Sequence, residues 1–170
     1  MLRLSLLRHA KAAPADAPED DFERPLTKSG IEDAAQIGKY LKRHKLGPDL
    51  VLCSGAERAR STLDCVLAEL GDPAPKVEYD NSLYHPSSAN LLKLIQNIGK
   101  VPKHVMIVGH NPELHSLCVE IVGDGRPKEV ASLSRKFPKA GLAVVEFEIT
   151  HWRKIRGGIG KLVHFVGAVR

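Results

Sequence analysis

Cysteine is scarce in this 170-residue chain: three residues, an odd number with no CxxC pair, leave no disulfide framework and no paired thiolate metal site. Cys53, Cys65 and Cys118 each stand among apolar neighbours and read as reduced, buried thiols of a cytoplasmic protein. Aromatic residues make up only 5% of the chain, and no arginine-rich block or interleaved aromatic run accompanies the net charge of +5. A nucleic-acid partner is therefore not expected. No apolar run approaches a membrane span, and the N-terminal one is too short for a signal peptide, so no membrane partner is expected either. Also missing are a GxxxxGK[ST] phosphate loop, an HExxH pair and any carboxylate cluster at metal-ligand spacing. Of the eight histidines, His44, His85, His104, His115, His151 and His164 are scattered, which makes a zinc site a poor reading. No metal and no cofactor are expected.

What is present is an ordinary globular composition, 43% hydrophobic and 26% charged, enough for one domain spanning 1–170 with a proper core. The charge is uneven. Asp16, Glu19, Asp20, Asp21 and Glu23 crowd one early loop, whereas Arg135, Lys136, Lys139, Arg153, Lys154, Arg156 and Lys161 load the last third. A basic flank of this kind either steers an anionic, phosphorylated partner or is simply a solvated surface.

The chain is organised around residues 2–11. Leu2, Leu4, Leu6 and Leu7 form a short apolar run that reads as a strand buried on both faces, and it ends in Arg8-His9. A long loop, 12–23, leads to a helix capped by Thr27 or Ser29, with Ile31, Ala34, Ala35, Gly38 and Leu41 as its apolar stripe and Gly47-Pro48 as its stop. Residues 50–53 form a second apolar strand. Behind it a helix from Ala56 carries Arg58 in its first turn, where a cation opposes the helix dipole unless an anion shares that end. A brief strand at 76–79, a Tyr84-His85-Pro86 turn and a helix capped by Ser87 or Ser88 follow. A third apolar strand, 105–108, closes on Gly109-His110, after which Asn111 is the natural N-cap and Pro112 the first residue of another helix. Strands at 142–149 and 161–166 suggest a terminal hairpin. This alternation predicts an α/β fold: a three-layer α/β/α sandwich with a mainly parallel central sheet and an antiparallel edge hairpin.

Three strands thus end in residues suited to an anion. In a parallel sheet those ends share one edge, beyond which ligands bind. Two guanidiniums and two imidazoles gathered there suit a phosphoryl group. The triplet Arg8-His9-Ala10, the segment Ser54-x-x-x-Arg58-Ala59-x-x-Thr62 and the run Val108-Gly109-His110-Asn111-Pro112 resemble the histidine phosphatase superfamily. The short length and Arg24-Pro25-Leu26-Thr27 followed by Gly30 resemble its small SixA-type phosphohistidine phosphatase branch. The likeness spans residues 2 to about 122. Ala10 replaces a Gly common in relatives, and Ser54-Gly55 replaces Ser-Pro.

The resemblance implies that His9 is the nucleophile, attacking as neutral imidazole, with Arg8, Arg58 and a cationic His110 lowering its pKa and binding the phosphoryl oxygens. Arg24, Ser54, Asn111 and His85 are further candidates for substrate binding. Larger relatives carry a carboxylic acid between the second Arg and the second His to protonate a leaving alkoxide. Here Glu69, Asp72, Glu78 and Asp80 match no such motif, and Tyr84-His85 stands near the expected place, with His85 or Glu113 as alternatives. Losing a positioned acid costs about 10²- to 10⁴-fold for a poor leaving group, whereas a phosphorylated imidazole departs readily. The expected partner is therefore a phosphoryl-bearing substrate, a phosphohistidine protein of a signalling or phosphotransfer chain. The alternatives are a small-molecule phosphomonoesterase of the same superfamily and a catalytically silent phosphate-binding module.

Overall fold

The structure, a computed structural model, describes residues 1–168. Seven strands, β1 (Leu2–Arg8), β2 (Leu50–Cys53), β3 (Lys76–Tyr79), β4 (His104–Gly109), β5 (Val122–Gly125), β6 (Leu142–Phe147) and β7 (Gly160–Val166), form one sheet. Five helices, α1 (Lys28–Arg43), α2 (Glu57–Leu70), α3 (Ser88–Gln96), α4 (Glu113–Ile121) and α5 (Pro127–Arg135), flank it. The strand order is β3-β2-β4-β1-β6-β7-β5. Strand β4 pairs parallel with both β1 and β2, with Arg8 opposite Gly109 and Cys53 opposite Val108. The residues that follow these strands, His9, Ser54 and His110, therefore emerge side by side. Strand β6 runs antiparallel to β1, with Leu142 opposite Leu7, so the loop entering β6 arrives at the same edge.

Burial of both sheet faces explains the leucine-rich run of β1. Leu4 and Leu6 pack with Leu91, Ile95, Leu114 and Leu117 of α3 and α4. Leu7 packs on the opposite face with Ala34, Ile37 and Leu41 of α1 and Leu63 and Val66 of α2. Among the described residues no helix is long and apolar enough to cross a membrane.

Some local expectations shift. Helix α1 buries Gly30, Asp33, Ala34, Ile37, Gly38 and Leu41, while Ile31 remains 49% exposed. The rotation is set at the helix start. Thr27 caps it by accepting the Gly30 N–H at 3.1 Å, and a Cβ on Gly30 would strike the Lys11 carbonyl, so only glycine can face inward there. The helix stops at Arg43, ahead of Gly47-Pro48, with Lys45 in the left-handed region at φ 56°. Cys53 and Cys118 are buried, but Cys65 is only half-buried, and all three are free thiols. The hairpin β6–β7 joins the sheet beside β1, and β5, a Val-Gly-Asp-Gly segment of little intrinsic strand character, adds to it in parallel beyond β7.

Candidate active site

His9 sits where β1 ends, fixed through its main chain. Its N–H donates to the Gly109 carbonyl at 3.0 Å and its own carbonyl accepts from Ala140 N–H at 3.1 Å. The ring is buried, with Nδ1 2.8 Å from the Ala10 carbonyl. A carbonyl can only accept, so Nδ1 carries the proton and Nε2 keeps its lone pair. Burial, reinforced by the charges of Arg58, Arg8 and Arg24 and opposed by the Ala10 bond, lowers the His9 pKa to about 4. The imidazole is neutral at neutral pH.

His110 follows β4, its ring centroid 5.2 Å from that of His9. Its Nε2 lies 2.8 Å from Ser54 Oγ, which also accepts the Ala56 N–H at 3.3 Å. Burial above all, then the neighbouring His9 and Arg58, lowers its pKa to about 3. The cationic His110 expected from sequence is thus a neutral one: desolvation in the closed sheet edge outweighs anything that would keep it charged. Ser54 is fully buried and engages His110.

Both arginines are anchored while keeping donors unspent. Arg58, 4% exposed, uses Nη1 on the Asp21 main-chain carbonyl at 2.8 Å and Nη2 on the Asp21 carboxylate at 3.2 Å. Arg8 donates Nη1 to the Phe137 carbonyl at 3.1 Å. Arg8 Nε, Arg58 Nε and His110 Nδ1 are buried without a protein partner. Buried polar atoms are normally satisfied, and guanidinium donors held at a fixed spacing suit an anion with several oxygens. Among the described residues no group of three or more His, Cys, Asp or Glu side chains is placed to hold a metal ion.

Sequence reasoning did not single out Asp21. Its carboxylate joins Arg24 Nη1 at 3.1 Å, Arg58 Nη2 at 3.2 Å and the Tyr84 hydroxyl. The Tyr84 bond first, then the two arginines, holds its pKa down at about 2 despite some desolvation. Nothing in composition separates Asp21 from Asp20; the available signal was its position three residues before Arg24, one turn of the short helix Pro18–Glu23. Tyr84 also lies 5.6 Å from the Arg58 guanidinium carbon, measured to the ring centroid, and edge-on to His110 at 5.5 Å.

The remaining candidates lie around this core. Arg24 donates Nε to the Ala13 carbonyl at 2.7 Å as well as pairing with Asp21. Asn111 does not cap α4, which begins at Glu113 after Pro112; its amide is drawn instead to the Phe137 carbonyl at 2.9 Å. His85 is exposed, its ring tilted against Tyr84 at 4.1 Å and 6.0 Å from His110 between centroids. Glu113 and His110 line one narrow crevice with no room for a water molecule, and the Glu113 Oε2 is buried without a partner. A Cβ on Gly55 would strike the end of the Asn81 side chain and come within 3.2 Å of Phe22, so Asn81 would have to move to admit one.

The buried histidines make stability depend on acid. His9 and His104 have native pKa values lowered to about 4, and His110 to about 3, burial being the first cause in each. Between those values and the ordinary 6.5 the unfolded chain binds more protons than the native one, so stability rises with pH. It is fully present above about pH 6.5 and is lost as pH falls through 4 toward 3. The denaturant midpoint is expected to drop steadily over that window; a midpoint constant from pH 7 to pH 4 would contradict neutral buried imidazoles.

Comparisons with known proteins agree on one family. The model of the histidine phosphatase superfamily (branch 1) matches residues 4–84. The uncharacterized protein Rv1276c of Mycobacterium tuberculosis is 35% identical over 161 residues, covering 94% of this chain and 98% of that one. A solved structure named "putative phosphohistidine phosphatase SixA", from Agrobacterium tumefaciens, is 30% identical with a TM-score of 0.81, covering 98% of this chain and 97% of that chain. A similarly named structure from Nakamurella multipartitia is 27% identical with a TM-score of 0.84, covering 99% and 97%. The chain belongs to the histidine phosphatase superfamily, in its small SixA-type branch.

Proposed function

We propose that this phosphatase hydrolyses phosphohistidine on a protein, without a metal, through a covalent intermediate on His9. With the substrate imidazole protonated by solvent on its other ring nitrogen, the His9 Nε2 lone pair forms a bond to phosphorus as the bond from phosphorus to that imidazole breaks, and the ring departs neutral. A water molecule then attacks the phosphorylated His9, releasing inorganic phosphate and a proton and restoring neutral His9. Arg8, Arg58 and the Nδ1 side of His110 supply donors to the phosphoryl oxygens, whose charge they stabilise through the transition state. Ser54 holds His110 by Nε2, leaving Nδ1 for the substrate.

The observation that carries the substrate assignment is the state of Asp21. It is the carboxylate in contact with Arg58, and Tyr84 and the arginines hold it ionised, its pKa about 2. An ionised carboxylate cannot protonate a leaving alkoxide, which needs that proton from the enzyme, whereas a phosphorylated imidazole takes its proton from solvent on the ring nitrogen away from phosphorus and leaves as a neutral ring. A phosphohistidine protein is expected to be turned over at least about 10²-fold faster, by kcat/KM, than glycerol phosphate. Equal or faster turnover of the alkyl ester would defeat the assignment.

A second reading, a phosphomonoesterase for small molecules, is favoured by the unpartnered Oε2 of Glu113 beside His110, a place from which a protonated carboxyl could act. Glu113→Gln separates the two. Under the first reading both activities stay within a fewfold of the parent; under the second, ester hydrolysis falls by about 10²-fold or more.

A further inference from the structure

The mouth of the site lies between two surfaces of opposite charge. On the β6 side, loop 136–141 is tied to the catalytic strand. The Phe137 carbonyl accepts from both Arg8 and Asn111, Ala140 N–H donates to the His9 carbonyl, and Arg8 N–H donates to Gly141. This loop carries Lys136 and Lys139, both exposed, and the exposed Lys11 lies two residues beyond His9. The ammonium of Lys139 is close enough to Arg8, Arg24, Lys11 and Lys136 for their charges to add to partial burial in lowering its pKa.

On the β2–β3 side, an open groove of about 560 Å³ is lined by Glu23, Glu57 and Asp64 against Arg60, with Phe22 and Gly55 at the catalytic end. Arg60 is already engaged, 2.8 Å from Glu57 and 3.9 Å from Glu23. The strands carrying His9 and His110, β1 and β4, lie between β6 and β2 in the sheet, so the two flanks face each other across the reacting groups.

We propose that these flanks form a bipolar docking surface for the protein that bears the phosphohistidine, which presents acidic side chains to Lys136 and Lys139 and basic ones to the Glu23 groove. The inference rests on the phosphatase reading above and specifies the surface its substrate must have. Three to four strand spacings separate the flanks, roughly 15–20 Å, more than a small metabolite spans. A nucleic acid, anionic throughout, is repelled by the carboxylate side. A folded protein or an extended peptide satisfies both, and complementary charge of this kind raises encounter rates and fixes orientation.

The test uses the full chain and synthetic peptides with a central phosphohistidine. One peptide has neutral flanks, one has glutamates on both sides, and two have a glutamate block and a lysine block in either order; free phosphoramidate is the small control. One polarised order is expected to exceed the neutral peptide by about tenfold in kcat/KM at low salt, and to lose that advantage at high salt. Lys136→Gln combined with Lys139→Gln is expected to abolish the advantage and leave phosphoramidate hydrolysis within twofold of the parent. The docking surface is overturned if neither polarised order beats the neutral peptide, or if the all-acidic peptide equals the better one. It is likewise overturned if the lysine variant slows phosphoramidate as much as peptide. Failure to hydrolyse any of the phosphohistidine peptides or phosphoramidate would instead remove the phosphatase reading, and the docking surface with it.

Discussion

His9→Asn is expected to reduce turnover of every phosphoryl substrate by about four orders of magnitude or more, the scale seen when a covalent nucleophile is removed, and to yield no phosphorylated protein on quenching at alkaline pH. The reason lies in which nitrogen is free. Both site imidazoles are neutral, so charge does not choose between them. Hydrogen bonding does: His9 spends Nδ1–H on the Ala10 carbonyl, leaving Nε2 bare, whereas His110 spends Nε2 on Ser54. Asparagine is smaller and has no imidazole nitrogen to attack with, and the main-chain bonds of residue 9 to Gly109 and Ala140 do not depend on the side chain. A folded, inactive variant is therefore the expected result, with circular dichroism as the control. Phosphorylation of His110 in the parent enzyme, or turnover by the variant within tenfold of the parent, would assign the attack wrongly.

The parts of this site that sequence reveals are those that chain connectivity places. A leucine-rich run such as Leu4, Leu6 and Leu7, which points to both faces, must be covered on both, and short strands alternating with helices make a parallel sheet whose ends align. Arg8-His9, Ser54 and Gly109-His110 could therefore be brought to one edge before any coordinates were known. What escapes sequence is what tertiary packing decides. Asp20 and Asp21 are chemically identical neighbours, and only the turn of Pro18–Glu23 selects Asp21 to face Arg24, Arg58 and Tyr84. The charge of His110 follows from burial, which no motif reports. The rotation of α1 away from Ile31 follows from a close approach of Gly30 to Lys11, a distant contact invisible to helical periodicity. Asn111 has every local property of an N-cap, yet its Nδ2 donates across the fold to the Phe137 carbonyl and its Oδ1 accepts from no helix N–H.

Arg58→Lys, conservative in charge, is expected to cost about 10²- to 10³-fold in kcat, as large as losing a dedicated transition-state donor. Arg58 has two tasks at once. Its Nη1 and Nη2 hold the main chain and carboxylate of Asp21, and its Nε is left buried and unspent. A planar guanidinium can face two partners from different edges, whereas an ammonium is a single point of charge on a flexible stem. In Arg58→Lys that ammonium either pairs with Asp21 or turns to the phosphoryl group, so the site loses its donor or its brace. The loss of the second guanidinium bond also releases part of what keeps Asp21 ionised, and its pKa rises from about 2. Asp21→Asn separates the two tasks, since an amide oxygen can still accept from Tyr84 and Arg58 while the charge is removed and the bond from Arg24 is lost. Its expected loss is about tenfold, smaller than for Arg58→Lys, because the phosphoryl donors remain. The stability cost of Arg58→Lys is about 1 kcal/mol or less, given screening at a partly exposed Asp21, so thermal melting should differ little between the two variants. Arg58→Lys retaining kcat within threefold of the parent would mean that Arg58 contributes only charge, and Asp21→Asn matching it in severity would make the brace, not the donor, the larger part of what Arg58 does.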